Sequence, residues 1–155
     1  FAALDVIAAM QPTHATSDMY WVEDRLGPQR VVYAYAWRSL LDSGARLALG
    51  SDFPVEQVNP MLGIHAAVTR QDTKGWPEGG WYPAESLSRE EAVRGFTLDA
   101  AYAAFMEKSV GSLESGKRAD FIVLDQNIFE IEASDIASVK VLQTWLDGEL
   151  VYSYP

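Results

Sequence analysis

The chain has 155 residues, of which 22 are acidic and 12 basic, giving a formal net charge of −10. This negative charge disfavours nucleic acid and anionic membrane surfaces as partners, because like charges repel. Apolar residues make up 48% of the chain, as in globular proteins, yet no apolar run approaches the roughly 20 residues that a bilayer-spanning helix needs.

The first predicted element is an apolar strand at residues 6–10, which ends at the proline that follows it. A short apolar run without alternation is typical of a strand buried on both faces of a parallel sheet. A polar loop is predicted for residues 15–27. Residues 28–42 are predicted to form a helix, since a proline suits its first turn and Gly44 suits its end.

A second strand and helix repeat this order. Residues 46–49 are predicted to form the strand, and residues 61–70 the helix, with Asn59 as its cap. The alternation of strands and helices predicts an α/β fold with parallel strands. His14 and Asp52 follow the two strands at equivalent positions, so we expect both at the carboxyl edge of the sheet.

The next part of the chain is predicted to be a loop and two helices. The loop covers residues 71–84, and its Gly, Pro and Trp side chains at 76–83 would form either a lid over a site or packing against helices. Ser88 has the spacing of a capping box with a glutamate three residues later, which begins a helix ending near Gly95. The second helix is predicted at residues 98–106, with the preceding threonine as its cap.

Beyond residue 110 the pattern changes to β-structure. Residues 121–124 form a predicted strand, and Asp-Gly at 147–148 between two β-rich runs predicts a hairpin. We therefore divide the chain into a first domain at residues 1–109 and a second at residues 110–155.

Asp52 is the strongest candidate for chemistry. It directly follows a buried parallel strand, where α/β folds place their active sites. Its carboxylate would ligate a divalent metal or accept a proton from a water molecule. An aspartate that caps a loop or a helix is an equally valid interpretation of its position.

His14 is the second candidate, because an imidazole at that place would bind a metal or polarise a substrate carbonyl. The alternative is a loop histidine bonded to the backbone. Asp18 is predicted to be a solvated loop carboxylate, and His65, within a helix, is predicted to be structural. The chain has no other histidine, which limits any metal site.

The chain contains no cysteine, so disulfides and cysteine metal sites are excluded. This composition is compatible with a reducing compartment, and we expect a cytoplasmic location. An exported protein that does without disulfides would have the same composition.

Five segments together resemble the carboxyl-terminal third of the metal-dependent amidohydrolases of family 3. Three are short: QPTHATSDM at 11–19, LGSDFPVE at 49–56 and AVTRQ at 67–71. Residues 87–105 and VGSLESGKRADF at 110–121 match the closing part of the family. Gly-Ser-Asp alone is a weak motif, but the order and spacing of all five are specific.

The resemblance implies the last two β/α units of a (β/α)8 barrel, followed by the carboxyl-terminal part of a small β-sandwich. It also implies one or two divalent metals, usually zinc, and hydrolysis of a C–N bond in a small amide-like substrate. Asp52 would be a metal ligand and the base for the attacking water. His14 would contact the substrate.

The family's His-x-His motif, its histidines after the fifth and sixth strands, and its bridging carboxylate or carboxylated lysine have no counterpart here, and a complete barrel takes about 250 residues. We therefore expect a fragment that alone binds no metal tightly, is inactive, and self-associates through unpaired strand edges. The alternative from another class is a non-catalytic assembly or binding module that keeps the fold. A chance resemblance in an unrelated acidic α/β protein is the third possibility.

Overall fold

The structure is a computed structural model that describes residues 1–155. Its helices are α1 Pro12–Asp18, α2 Val22–Leu26, α3 Trp37–Asp42, α4 Pro60–Thr69, α5 Arg89–Phe96 and α6 Leu98–Ala103. Its strands are β1 Ala8–Met10, β2 Leu47–Leu49, β3 Phe121–Leu124, β4 Val141–Leu146 and β5 Glu149–Ser153. Short 3₁₀ helices lie at Ala2–Leu4, Val31–Tyr33, Pro83–Glu85 and Ala133–Ser138. None of the helices combines the length and the apolar character that crossing a bilayer requires.

The first sheet consists of β1 and β2, which pair in parallel, with Ala8 opposite Leu47 and Met10 opposite Leu49. The predicted parallel pairing is confirmed. All three residues of β2 are buried, as the apolar sequence indicates. Both strands are shorter than predicted, because the ladder pairs only three residues of each.

The predicted loop at 15–27 is wrong, since α1 and α2 occupy most of it. Pro12 opens α1 because the first turn of a helix does not need its missing N–H. Ala15, Met19 and Val22 are buried at helical spacing, so they supply the apolar face on which these helices pack.

The predicted continuous helix at 28–42 is also wrong. The segment contains only the 3₁₀ helix Val31–Tyr33 and the short helix α3. Tyr35 has a φ of 54°, a left-handed conformation that interrupts any helix running through it. Trp37 at the start of α3 is fully buried and anchors the helix to the core.

Helices α4 and α5 begin at their predicted capping residues. Asn59 Oδ1 accepts from the Met61 N–H at 3.0 Å at the start of α4, and Ser88 and Glu91 form the predicted capping box of α5. Helix α6 ends before residue 106. Thr97 does not cap it, because the Thr97 hydroxyl donates to the Val93 carbonyl at 2.7 Å.

The second sheet is antiparallel, in the order β3-β4-β5, and the predicted hairpin connects β4 and β5. Every residue of β5 is exposed. The 3₁₀ helix Ala133–Ser138 packs on α4, and its Ile136 is fully buried in the same apolar cluster as Leu49. The division of the chain into two domains at residue 110 stays a prediction.

Gly80 lies in a closely packed part of the loop after α4. Its φ is +89°, and a Cβ added there would lie 2.4 Å from the Thr69 carbonyl oxygen. Gly79 has a φ of +77° but no atom within 4 Å of such a Cβ. We expect Gly80→Ala to lower the free energy of unfolding by about 3 kcal/mol and Gly79→Ala by about 1 kcal/mol, because only the first adds a backbone clash to the strained φ. Urea denaturation measures the loss of unfolding free energy in each variant. Equal losses in the two would contradict the predicted clash at Gly80.

Candidate active site

His14 and Asp52 lie together beyond the carboxyl ends of the two parallel strands. His14 is the third residue of α1, and Asp52 follows β2 after two intervening residues. The Gly50 N–H donates to the Met10 carbonyl at 3.2 Å, which continues the ladder past the strand ends. His14 Nε2 is 3.7 Å from Asp52 Oδ2.

Asp52 is held by a tight turn. Its φ is 56°, and its carbonyl accepts from the Val55 N–H at 2.8 Å. The Ser51 hydroxyl oxygen accepts from the Phe53 N–H at 3.3 Å. The Asp52 side chain is 54% exposed, and α4 is capped by Asn59 instead. The Asp52 carboxylate is therefore left open to solvent beside His14.

His14 lies in helix α1, not in the loop where the sequence placed it. Its Nε2 is buried and has no hydrogen-bond partner in the protein, so at this atom the alternative of a backbone-bonded histidine does not hold. The 3.7 Å to Asp52 exceeds a hydrogen bond. A buried ring nitrogen without a partner, beside a carboxylate, is suited to contact a ligand.

The donors of this chain are incomplete for a catalytic zinc ion, which takes three protein ligands. His14 and Asp52 supply one imidazole nitrogen and one carboxylate. No group of three or more His, Asp or Glu side chains is placed to hold a metal ion. The orphaned Nε2 and the facing carboxylate fit part of a metal site, not a whole one.

Two further contacts near the pair join segments that are distant in sequence. The Ser17 hydroxyl donates to Glu56 Oε1 at 2.7 Å, which ties α1 to the loop after β2. Asp18 is not a solvated loop carboxylate, since it ends α1 and accepts from the Tyr35 hydroxyl. Burial, together with that bond, raises the pKa of Tyr35. Sequence reasoning missed both contacts because no local pattern signals them.

The two tryptophans of the 76–83 loop have different environments. Trp81 is buried, and its Nε1 donates to Glu23 Oε1 at 3.0 Å. Trp76 is exposed and stacks on Tyr20 at 4.8 Å between ring centroids. The packing interpretation holds for Trp81, while Trp76 lies on the surface.

Arg70 is the buried residue that sequence reasoning missed. It is fully buried, and its Nε donates to the Trp81 carbonyl at 2.8 Å and its Nη1 to the Tyr35 carbonyl at 2.9 Å. Its guanidinium lies 4.3 Å from the Trp37 ring centroid. Burial lowers the pKa of Arg70 to about 10. The Arg70 side chain therefore connects the end of α4 to two irregular segments, the one that contains Tyr35 and the loop that contains Trp81.

Comparison with known proteins shows which family this chain resembles. The model of the Amidohydrolase family matches residues 1–152. Protein LONG AFTER FAR-RED 3 of Arabidopsis thaliana is 40% identical over 153 residues, which are 98% of this chain and 26% of that protein. N-substituted formamide deformylase of Arthrobacter pascens is 36% identical over 115 residues, 74% of this chain and 21% of that enzyme.

The fold is also similar to that of a solved structure. A metal-dependent hydrolase of Pyrococcus horikoshii OT3 superimposes with a TM-score of 0.74 at 29% identity, covering 85% of this chain and 26% of that protein. The chain spans about a quarter of the length of the relatives it matches. Since the family model covers nearly all of the sequence, this chain belongs to the amidohydrolase family.

Proposed function

We propose that this chain is the carboxyl-terminal part of a metal-dependent hydrolase that cleaves a non-peptide C–N bond in a small amide-like molecule. The observation that carries the proposal is the position of His14 Nε2 at the ends of two parallel strands. This atom is buried, has no hydrogen-bond partner in the protein, and lies 3.7 Å from the Asp52 carboxylate. That location is where barrel enzymes place their chemistry. The similarity to a formamide deformylase supports the class of bond.

In the proposed architecture, β1 and β2 with their helices are the last two β/α units of a (β/α)8 barrel. The sheet β3-β4-β5 is then part of a composite β-sandwich, with a boundary near residue 110. The short parallel pair of strands and the exposed β5 support this arrangement, because both lack the neighbours that complete such sheets.

The proposed mechanism gives each residue of the pair one role. Asp52 would be one ligand of a divalent metal, zinc in the proposal, which would supply polarisation of the substrate carbonyl. The free carboxylate oxygen of Asp52 would accept the proton of the attacking water and return it to the leaving nitrogen. His14 Nε2 holds the substrate carbonyl oxygen by a hydrogen bond. The remaining ligands would come from residues outside this chain.

The incomplete donor set also favours a second candidate, a non-catalytic assembly or binding module that keeps the amidohydrolase fold. The reading frame upstream of Phe1 separates the two. An upstream His-x-His motif supports the hydrolase, whereas an initiator methionine codon directly before Phe1 supports the module.

The isolated chain is expected to show no stoichiometric zinc and no amide hydrolysis, because His14 and Asp52 supply fewer ligands than a catalytic site needs. The full-length protein is expected to contain zinc and to release amine from N-substituted formamides, and a chelator should abolish this turnover. Elemental analysis measures the zinc content, and an amine-release assay measures the turnover. Stoichiometric zinc with turnover in the isolated chain would refute its proposed incompleteness, and a full-length protein without either would favour the module.

The proposed partners are a small amide-like substrate and, for the isolated chain, further copies of itself. The unpaired edges of the β1-β2 pair and the apolar residues exposed on β5 support self-association. The proposed location is the cytoplasm.

A further inference from the structure

A polar cleft lies between α1 and α4, next to the candidate active site but separate from it. Its volume is about 180 Å³, and neither His14 nor Asp52 lines it. Its lining includes the side chains of Thr13, Ser17, Glu56, His65 and Asp72. The cleft shares helix α1 with the candidate active site, because Thr13 precedes His14 directly.

Two acceptor groups of this cleft have no task in the fold. The Thr13 hydroxyl oxygen is buried and has no hydrogen-bond partner. His65 is 97% buried on α4, and its ring makes no hydrogen bond to the protein, whereas its backbone carbonyl accepts from the Thr69 hydroxyl at 2.8 Å. Buried polar groups are normally hydrogen-bonded, so the unpartnered Thr13 hydroxyl oxygen points to a ligand in the cleft that Thr13 and the His65 ring both line.

The charge of the cleft is negative. Glu56 and Asp72 line it, and no lysine or arginine does. Asp72 is already engaged, since its Oδ1 accepts from the Lys74 N–H at 2.8 Å and its Oδ2 from the Tyr20 hydroxyl. Glu56 accepts from Ser17 through Oε1 alone, which leaves Oε2 available.

His65 adds a neutral acceptor to this set. Burial lowers the pKa of His65, so the ring is neutral near pH 7 and one of its nitrogens accepts a hydrogen bond. The Glu56 carboxylate, the Thr13 hydroxyl and the His65 ring together offer three acceptors. A primary ammonium group carries three donors and no acceptor, so it can donate one hydrogen bond to each of these three acceptors.

We propose that the cleft between α1 and α4 is a binding site for a small primary ammonium ion, held by Glu56, Thr13 and His65. A volume of about 180 Å³ accommodates an ammonium group with a short alkyl chain. Anions are rejected by the two carboxylates. The site is independent of the hydrolase proposal, because it uses neither His14 nor Asp52.

Titration of the isotopically labelled chain with ethylammonium chloride, followed by NMR, tests the site directly. Saturable shifts are expected at the Thr13 amide and the His65 ring, whereas ethanol and sodium chloride at equal concentrations should leave both in place. Glu56→Gln is expected to weaken ethylammonium binding about tenfold, because it removes a charge-assisted hydrogen bond. Glu130→Gln, on an exposed residue far along the sequence, is the matched control and should bind as the parent does.

Thr13→Val is the second variant, since it removes only the unpartnered hydroxyl and does not depend on the Ser17–Glu56 contact. It is also expected to weaken binding, with an unchanged circular dichroism spectrum. The site is refuted if ethylammonium shifts these signals no more than sodium chloride does. It is equally refuted if folded Glu56→Gln and Thr13→Val variants bind ethylammonium as tightly as the parent.

Discussion

Asp52→Asn in the full-length protein is expected to reduce kcat by about 10²–10⁴-fold, the contribution typical of a positioned proton acceptor. The amide is close to the carboxylate in size but cannot take a proton from water. The side chain is 54% exposed and the turn around it is made by backbone groups, so the substitution should leave stability unchanged. The loss would therefore lie in the chemistry and not in folding.

Steady-state amine release measures this effect, and thermal unfolding checks that the variant is folded. Asp42→Asn is the matched control, because that carboxylate is exposed and pairs only with Arg38 within α3. The control should keep the parent kcat. If Asp52→Asn retained full turnover, the role proposed for the His14–Asp52 pair would be wrong.

Arg70→Met is expected to lower the free energy of unfolding of the chain by about 3 kcal/mol, a large part of the stability of an ordinary domain. The Trp81 and Tyr35 carbonyls would each lose their bond from the guanidinium in a site without solvent. The stacking of the guanidinium on Trp37 would be lost as well. Relief of the burial that lowers the Arg70 pKa offsets part of this cost.

Arg30→Met provides the comparison, because Arg30 Nε also donates to a backbone carbonyl, that of Leu26 at 2.9 Å, but at an exposed position. Its effect should stay within about 0.5 kcal/mol, as for surface substitutions in general. Urea denaturation of both variants gives the difference. Similar losses in the two would show that burial does not determine the strength of the Arg70 contacts.

Local sequence signals were sufficient where the element depends on its own residues. The Asn59 cap of α4, the capping box of α5 and the Asp-Gly hairpin between β4 and β5 are all present where they were predicted. Each is a pattern of a few neighbouring residues whose backbone groups satisfy one another.

Errors arose where distant contacts decide the local conformation. Polar residues at 15–27 indicated a loop, yet α1 and α2 form there because Ala15 and Val22 are buried against the core. Helical spacing at 28–42 indicated one long helix, yet Tyr35 turns left-handed where its carbonyl accepts from Arg70. In both places tertiary packing overrode the local preference.

By itself the sequence determined that the fold is α/β, that β1 and β2 run in parallel, and which two residues follow them, because periodicity and caps are local properties. Only the tertiary structure decided that His14 Nε2 is buried without a partner 3.7 Å from Asp52. It alone also placed Arg70 between Trp37 and Trp81. Burial and distance are set by the packing of segments far apart in the chain, which no short pattern of residues encodes.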